Sequence, residues 1–128
     1  MVVDDDSTFI FIFKKQIDRA GGIELVNESS NGSEALRFLE TALKRSENLP
    51  DIIILDLNMP IMNGWVFLDE YSKICERENI QIPVCILSST INQADFDKAN
   101  TYKSVKSFFS KPITLDQITS MKKIAEIY

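Results

Sequence analysis

Four short apolar runs of the sequence are each followed by side chains that could bind a cation or a phosphoryl group. Asp4 and Asp5 follow the first run, and Asp56, Ser88 and Lys111 follow three later ones. Three crowded carboxylates repel one another unless a cation lies among them, and oxygen ligands with open positions suit magnesium. A lysine and a hydroxyl opposite the ion suit a transferred phosphoryl group, because its oxygens carry the charge. These residue types suggest an aspartate that accepts a phosphoryl group as nucleophile.

Composition limits the remaining possibilities. The 128 residues, 45% hydrophobic and 26% charged, are typical of one globular domain, 1–128. The net charge of −5 argues against nucleic acid or a membrane surface as partner, since such proteins are basic. No apolar run approaches the roughly 18 residues of a membrane span and we see no signal peptide, so we expect a cytoplasmic protein.

The sequence contains no histidine, which excludes catalytic triads with histidine, histidine general bases and histidine metal ligands. We expect Cys75 and Cys85 to be buried and reduced.

Apolar runs alternate with helical patterns along the chain. The predicted strands are 1–3, 23–26, 51–55, 84–87 and 106–109. The first helix has its N-cap at Ser7 and ends at Gly21-Gly22, although its string "FIFIF" also alternates like a strand. Later helices are predicted from about Ser33, from after Asn63-Gly64, over about 92–102, and in a last segment that carries Leu115, Ile118, Ala125 and Tyr128.

This alternation predicts an α/β fold, a doubly wound parallel sheet of five strands with helices on both faces. The near-continuous apolar strands agree, because such strands are buried on both sides. We favour the flavodoxin-like strand order 2-1-3-4-5, in which ligands bind outside the carboxyl ends of the strands. Strands one and three are then neighbours, so Asp4 and Asp5 converge with Asp56, and Ser88 and Lys111 close the other side of the site.

Each polar group also has a simpler interpretation. The run "DDD" is a favourable charge cluster at a helix start, "SST" from Ser88 is a helix cap, and Lys111-Pro112 is a surface turn. For each polar group taken alone, the simpler interpretation is preferable to a functional one. Their coincidence at four strand ends on one edge of the sheet favours a functional site.

At this point the sequence resembles the receiver domain of two-component response regulators, the family that includes the stand-alone chemotaxis receiver. The resemblance runs over essentially the whole chain. Its motifs are "VVDDDS" for the acidic pair, "ILDLNMPIMNG" for the phosphoacceptor loop, "PVCILSS" for the fourth strand and "FFSKP" for the lysine. The string D-x-x-M-P-x-M-[DN]-G is specific, and the four motifs occur in the family's order.

The resemblance implies a role for each matching residue. Asp56 would be the phosphoacceptor. Asp5, Asp56 and the backbone carbonyl of Asn58 would hold Mg²⁺ directly, and Asp4 would act mainly through a water. Lys111 would pair with Asp56 and then with the phosphoryl oxygens, and a cis peptide bond is expected between it and the following proline.

The resemblance also implies a switch. Ser88 would bond the phosphoryl group, and Phe108, at the family's rotating aromatic, would pack inward behind it. This would repack the face made by helix four, strand five and helix five, where a downstream protein target binds. Asn58 and Thr90 occupy positions that tune dephosphorylation in the family.

The phosphoryl donor would be a phosphohistidine on a sensor histidine kinase or a histidine phosphotransfer protein, which agrees with the missing histidine. The receiver would transfer the phosphoryl group only to its own aspartate and would slowly remove it. Whether it is called an enzyme is therefore partly a matter of definition. The alternatives are a receiver fragment of a hybrid kinase or larger regulator and an aspartate-based phosphatase. The phosphatase has the D-x-D spacing of Asp4 and Asp6 but no cap insertion. A flavin module is disfavoured because "DDD" repels phosphate.

Two features depart from the family pattern. Only three residues precede the acidic pair, where the family commonly has a longer first strand. Either residues have been lost from this end or the strand is abbreviated, and we expect weaker stability at that edge of the sheet. The segment "KANTYKSVKSFF" replaces a glycine-rich turn, so we expect a longer loop before the fifth strand.

Overall fold

The computed structural model describes residues 1–59, 61–90 and 92–127, in which strands and helices alternate. The strands are β1 (Val2–Val3), β2 (Glu28–Ser29), β3 (Ile53–Asp56), β4 (Val84–Ser88) and β5 (Val105–Ser110). The helices are α1 (Ser7–Ala20), α2 (Gly32–Lys44), α3 (Gly64–Glu78), α4 (Gln93–Ala99) and α5 (Leu115–Ile127).

The strands form one parallel sheet in the order β2-β1-β3-β4-β5, which confirms the predicted fold. β1 lies next to β3, with Val2 opposite Ile54 and Val3 opposite Leu55. Side chains of α2 and α3 pack into the apolar cluster on one face of the sheet, and those of α1 and α5 into the cluster on the other. The sheet is therefore buried on both faces, and its carboxyl edge carries the polar residues.

The starts of the helices follow from capping side chains. Three helices begin after an asparagine whose side-chain oxygen accepts a bond from the backbone N–H three residues on, namely Asn31, Asn63 and Asn92. The prediction that Ser7 caps α1 is wrong. Asp6 is the cap, because its Oδ1 accepts bonds from the N–H groups of Thr8 and Phe9, and Ser7 is the first helical residue.

The ambiguous string "FIFIF" lies in α1. Phe9, Phe13 and Ile17 are buried, whereas Phe11 and Ile12 are exposed. Burial at every fourth residue is the pattern of a helix with one face on the sheet. The string fits both the helical and the strand periodicity, and packing against the sheet selects the helix.

The second strand is not where the sequence predicts it. The pattern predicts 23–26, but β2 is Glu28–Ser29, paired with Val2 and Val3 of β1. A strand requires a pairing partner as well as a suitable pattern. The two residues of β1 lie opposite 28–29, so 23–26 has no strand beside it.

Smaller differences concern single elements. α4 is shorter than the predicted 92–102, and 100–104 forms turns before β5. Cys85 is buried and Cys75 half-buried, both as free thiols. Tyr128, predicted on the last helix, lies outside the described residues. Over the residues that are described, no helix combines the length and apolar character needed to cross a membrane.

Candidate functional site

Three carboxylates meet at the carboxyl edge of the sheet. Asp4 and Asp5 follow β1, and Asp56 is the last residue of β3, its neighbour. One carboxylate oxygen from each lies within 4.8 Å of the others. Asp4 and Asp56 are buried, whereas Asp5 is exposed. The predicted convergence of these residues, here called the acidic cluster, is present.

Burial and mutual repulsion change the acid strength of the acidic cluster. The pKa of Asp56 is raised to about 6, first by burial and then by the charge of Asp4. Lys111 and a hydrogen bond from the backbone of Asn58 oppose this rise. The pKa of Asp4 is also raised by burial, against the hydrogen bond from Lys111. The acidic cluster therefore carries negative charge that nearby protein groups only partly balance.

Lys111 supplies the positive charge. Its Nζ donates a hydrogen bond to Asp4 Oδ2 at 2.7 Å and lies 3.9 Å from Asp56 Oδ1. The Lys111 backbone N–H donates to the Ser88 carbonyl at 2.9 Å, which ties the ends of β4 and β5 together. The peptide bond from Lys111 to Pro112 is cis, as expected. The lysine thus reaches both buried aspartates, with its shorter contact to Asp4.

Gly64 fixes the backbone at the end of β3. Its N–H donates to the Leu57 carbonyl at 2.9 Å. A Cβ at position 64 would lie 2.8 Å from both the carbonyl oxygen of Asp56 and Cα of Leu57. Only glycine allows α3 to start this close to Asp56, because a side chain there would displace backbone atoms. The sequence identified Gly64 as a helix start but not as a support of Asp56.

Ser88 is fully buried at the end of β4, but its hydroxyl bonds to the loop that follows. Its Oγ donates to the Thr90 carbonyl at 2.8 Å and accepts from the Thr90 N–H at 3.3 Å. Thr90 and Asn58 are both exposed. Ser88 therefore lies at the predicted edge, with a hydroxyl held by Thr90 rather than by a carboxylate.

Phe108 is half-buried on β5 and packs against the apolar cluster under α2 and α3. Its ring centroid lies 6.1 Å from that of Phe96 on α4, with the planes tilted by 52°. A side-chain contact thus connects the predicted switch aromatic of β5 to α4.

Comparison with known proteins decides the family. The family model described as response regulator receiver domain matches residues 1–123. The chain belongs to this family.

Named relatives differ in how much of their length this receiver covers. It is 40% identical over 89 residues to the protein-glutamate methylesterase/protein-glutamine glutaminase of Treponema denticola, spanning 70% of this chain but 21% of that protein. It is 28% identical over 118 residues to chemotaxis protein CheY of Bacillus subtilis, spanning 92% of this chain and 89% of that protein. A two-component response regulator structure from Cytophaga hutchinsonii matches with a TM-score of 0.89 at 26% identity, covering 99% of this chain and 95% of that one.

The receiver's acidic cluster has the chemistry of a magnesium site. Its donors are hard carboxylate oxygens, and burial, followed by the neighbouring carboxylates, has already raised the pKa of Asp4 and Asp56. A divalent cation among them would favour the ionised forms. The residues present fit the ion that the family implies.

One contact at the receiver's site was missed by sequence reasoning. The ring centroid of Phe9, on α1, lies 4.3 Å from Lys111 Nζ. The ammonium therefore lies between an aromatic face and two carboxylates. No sequence signal indicated that the Phe9 ring would meet a cation.

A second group of contacts lies beside α3. Trp65 stacks on Tyr102 at 6.2 Å between centroids, and Lys98 Nζ lies 4.6 Å from the centroid of the Trp65 ring. The Tyr102 hydroxyl donates to Asp69 at 2.7 Å. These contacts tie the segment after α4 to α3. Packing is thus the observed role of Trp65.

Proposed function

We infer that this receiver accepts a phosphoryl group on Asp56 and uses it as a signalling switch. The observation that carries this proposal is the position of Asp56: buried at the end of β3, within 4.8 Å of Asp4 and Asp5 oxygens and 3.9 Å from Lys111 Nζ. A nucleophilic carboxylate, a cation site and a fixed ammonium are the parts that phosphoryl transfer requires.

Asp5, Asp56 and the Asn58 carbonyl are proposed to hold Mg²⁺, with Asp4 acting through a water. When bound, the ion would neutralise charge on the carboxylates and on the phosphoryl oxygens. The protein's own contribution is rigidity. β1 and β3 are paired, and Gly64 packs directly on the backbone of Asp56.

In the proposed reaction, an Asp56 carboxylate oxygen attacks the phosphorus atom of a phosphohistidine. An O–P bond forms, the N–P bond breaks, and the electron pair and later a proton stay on the histidine nitrogen. The reacting form of Asp56 is the ionised one, which predominates at pH 7 even with its pKa near 6. Lys111 then pairs with the new phosphoryl oxygens. Its contact with the Asp56 carboxylate is thereby replaced by a contact with a group of greater negative charge.

The proposed switch begins at Ser88. To bond a phosphoryl group, its hydroxyl must leave the two contacts with Thr90, a net change of about 1 kcal/mol per hydrogen bond. That movement shifts the segment between β4 and α4. Phe108 would then rotate inward and lose its present contact with Phe96 of α4, so the α4-β5-α5 face would change.

The proposed partners are a sensor histidine kinase or a histidine phosphotransfer protein as donor and a protein target on the α4-β5-α5 face. The relatives support two settings for such a receiver. It matches most of a chemotaxis protein and a small part of a methylesterase. The proposed receiver is therefore a free-standing regulator or a part of a larger protein. Cytoplasmic localisation stays a prediction.

The test is mass spectrometry of the intact protein after incubation with magnesium and acetyl phosphate. We expect one phosphate adduct, absent in Asp56→Asn and abolished by a chelator. Asp18→Asn, the same change on the exposed side of α1, is the matched control and should keep the adduct. An adduct that persists in Asp56→Asn, or none in the wild type with any donor, would contradict the proposal.

A further inference from the structure

Two pairs of side chains face each other between α3 and the carboxyl-terminal end of α4. Trp65 and Asp69 lie one turn apart on α3, whereas Lys98 and Tyr102 lie at the end of α4 and in the turns that follow it. The Trp65 ring contacts both the Tyr102 ring and the Lys98 ammonium, and the Tyr102 hydroxyl donates to Asp69. These four residues are here called the clamp.

The carboxyl-terminal end of α4 is also attached to the core. The rings of Trp65 and Tyr102 are half-buried and pack against the apolar cluster under α2 and α3. Ala99, the last residue of α4, is buried. The carbonyl of Ser104 accepts a hydrogen bond from the N–H of Val84 on β4 at 2.8 Å. Side chains and backbone together therefore hold this end of the helix.

The amino-terminal half of α4 is held less firmly. Gln93 is exposed, and Phe96 is 42% exposed although its ring contacts Phe108 of β5. This half follows the loop in which the Thr90 backbone holds the Ser88 hydroxyl. α4 has only seven residues, and so short a helix depends on its packing for stability. The two ends of α4 therefore differ in how firmly they are fixed.

The α3 side of the clamp is fixed to the end of β3. Trp65 directly follows Gly64, whose N–H donates to the Leu57 carbonyl at 2.9 Å. A Cβ at Gly64 would lie 2.8 Å from the carbonyl oxygen of Asp56, so the start of α3 has no room to move toward β3. The clamp thus joins the carboxyl-terminal end of α4 to a rigid part of the site.

We propose that the clamp is a fixed pivot for α4, so that the switch moves the amino-terminal end of the helix and leaves its carboxyl-terminal end on α3. This inference rests on the proposed phosphorylation of Asp56, because the movement starts when the Ser88 hydroxyl leaves Thr90. The loop after β4 leads into the less firmly held end of α4. The change at the α4-β5-α5 face is then largest around Phe96 and smallest around Tyr102.

The first test measures amide hydrogen exchange by NMR in the unphosphorylated protein. Both ends of α4 have hydrogen-bonded amides to compare, since Phe96 donates to the Asn92 carbonyl and Thr101 to the Lys98 carbonyl, each at 3.1 Å. We expect the Thr101 amide to be protected at least about 10-fold more than that of Phe96. Tyr102→Leu should remove most of this difference, because it removes the ring contact and the hydroxyl bond.

Phe11→Leu is the matched control for Tyr102→Leu. Phe11 is an exposed aromatic residue of α1, and Lys15 Nζ lies 4.8 Å from the centroid of its ring, so the variant loses the same kind of contact elsewhere. It should keep the difference between the two ends of α4. Tyr102→Phe keeps the ring but loses the hydroxyl bond to Asp69, and should keep part of the difference.

The second test follows the switch itself. Trp65 is the single tryptophan of the sequence, so tryptophan fluorescence reports on the clamp. With acetyl phosphate and magnesium, we expect an unchanged emission maximum, unchanged exchange at Thr101 and a change of at least about 3-fold at Phe96. In Tyr102→Leu, phosphorylation should change exchange at both amides. This dependence on phosphorylation distinguishes a pivot from simple structural support.

Three results would overturn the proposal. The first is equal protection of Phe96 and Thr101 in the wild type. The second is an unchanged difference between them in Tyr102→Leu. The third is a shifted Trp65 emission maximum with faster exchange at Thr101 on phosphorylation, which would mean that the clamp opens.

Failure of the proposed function is a separate outcome. It would appear as a missing phosphate adduct in the intact mass of the wild type. The exchange measurements in the unphosphorylated protein would still decide whether the clamp fixes one end of α4.

Discussion

The two edges of the sheet bury opposite charges. At the carboxyl edge, Asp4 and Asp56 are buried beside Lys111. Burial raises the pKa of both acids, and the charge of Asp4 raises that of Asp56 further. At the opposite edge, where the strands begin (here called the amino edge), the ammonium of Met1 is buried and donates to the Ile52 carbonyl, and burial lowers its pKa to about 6.

The difference between the edges indicates what would stabilise each. A cation would relieve the repulsion among the carboxylates, whereas an uncharged amide in place of the Met1 ammonium would remove the buried charge at the amino edge. In both cases a buried charge costs free energy, and neutralising it should stabilise the fold. Four changes to the protein test this difference, with expected effects that decrease from Gly64→Ala to Phe9→Leu.

Gly64→Ala should have the largest effect, because it acts on the backbone of the carboxyl edge. The added Cβ would meet backbone atoms of Asp56 and Leu57 at 2.8 Å. We expect the free energy of unfolding in urea to fall by about 3 kcal/mol, with slower labelling of Asp56 by acetyl phosphate.

Gly32→Ala is the matched control, since it also adds a methyl group at the first residue of a helix. Its two nearest atoms, at 2.8 and 2.9 Å, belong to the Met62 side chain, which can move, and the nearest backbone atom, the Met62 carbonyl oxygen, lies farther away at 3.1 Å. Its loss of stability should be clearly smaller. An equal loss in both variants would show that close contact with Asp56 is not the cause.

Asp56→Asn should stabilise the protein in the absence of magnesium. The pKa of Asp56 is raised from 3.8 to about 6, so the folded state binds its proton more tightly than the unfolded chain does. The resulting stability is fully present below pH 3.8 and is lost as the pH rises through 6. At pH 7 we expect the variant to gain about 2–3 kcal/mol in free energy of unfolding.

Added magnesium provides the control for Asp56→Asn. The ion should stabilise the wild type more than the variant, and so reduce the difference between them. A variant that is less stable than the wild type without magnesium would contradict a repulsive acidic cluster.

N-terminal acetylation tests the amino edge through the opposite pH dependence. The pKa of the Met1 ammonium falls from 8.0 to about 6 on folding, so the folded state binds fewer protons. Its contribution to stability is present above pH 8 and is lost as the pH falls through 6. Between pH 8 and 6 the unmodified chain should lose about 2 kcal/mol, whereas the acetylated chain should not.

The composition makes this measurement selective. The chain has no histidine, so no side chain with its usual pKa titrates between pH 6 and 8. The contribution of Asp56 falls as the pH rises toward 6 and that of Met1 falls as the pH drops toward 6, so the two groups together predict a minimum of stability near pH 6. Identical pH dependence of urea unfolding with and without the acetyl group would rule out a buried ammonium.

The sequence predicted the fold and the acidic cluster because both depend on order along the chain. Apolar runs fix the strands, and the residue after each run must emerge at the same edge of a parallel sheet. Asp4, Asp56 and Lys111 could therefore be placed together from positions far apart in sequence.

What the sequence could not predict depends on partners in space. Residues 23–26 have a strand's pattern but no strand beside them, and β2 forms at 28–29 where β1 offers pairing. Asp6 and Ser7 are equally good caps, and only the helix geometry selects Asp6. The contact of Phe9 with Lys111 likewise depends on how α1 packs against the end of β5.

Phe9→Leu should have the smallest effect, and it asks whether the carboxyl edge uses more than charges to hold Lys111. Leucine keeps an apolar side chain on α1 but removes the aromatic face that lies 4.3 Å from the ammonium. An aromatic ring attracts a cation by about 0.5–2 kcal/mol, depending on exposure. We expect labelling of Asp56 by acetyl phosphate to slow about 3-fold, the lower part of that range.

Phe13→Leu is the control, because Phe13 is also buried on α1 and stacks on Phe9 at 5.9 Å. Both variants should lose about 1 kcal/mol of stability from changed packing, but only Phe9→Leu should slow labelling. The NMR signal of the Lys111 ammonium should also broaden in that variant alone. If both variants slow labelling equally, Phe9 acts through packing, and the lysine is held by the carboxylates without the ring.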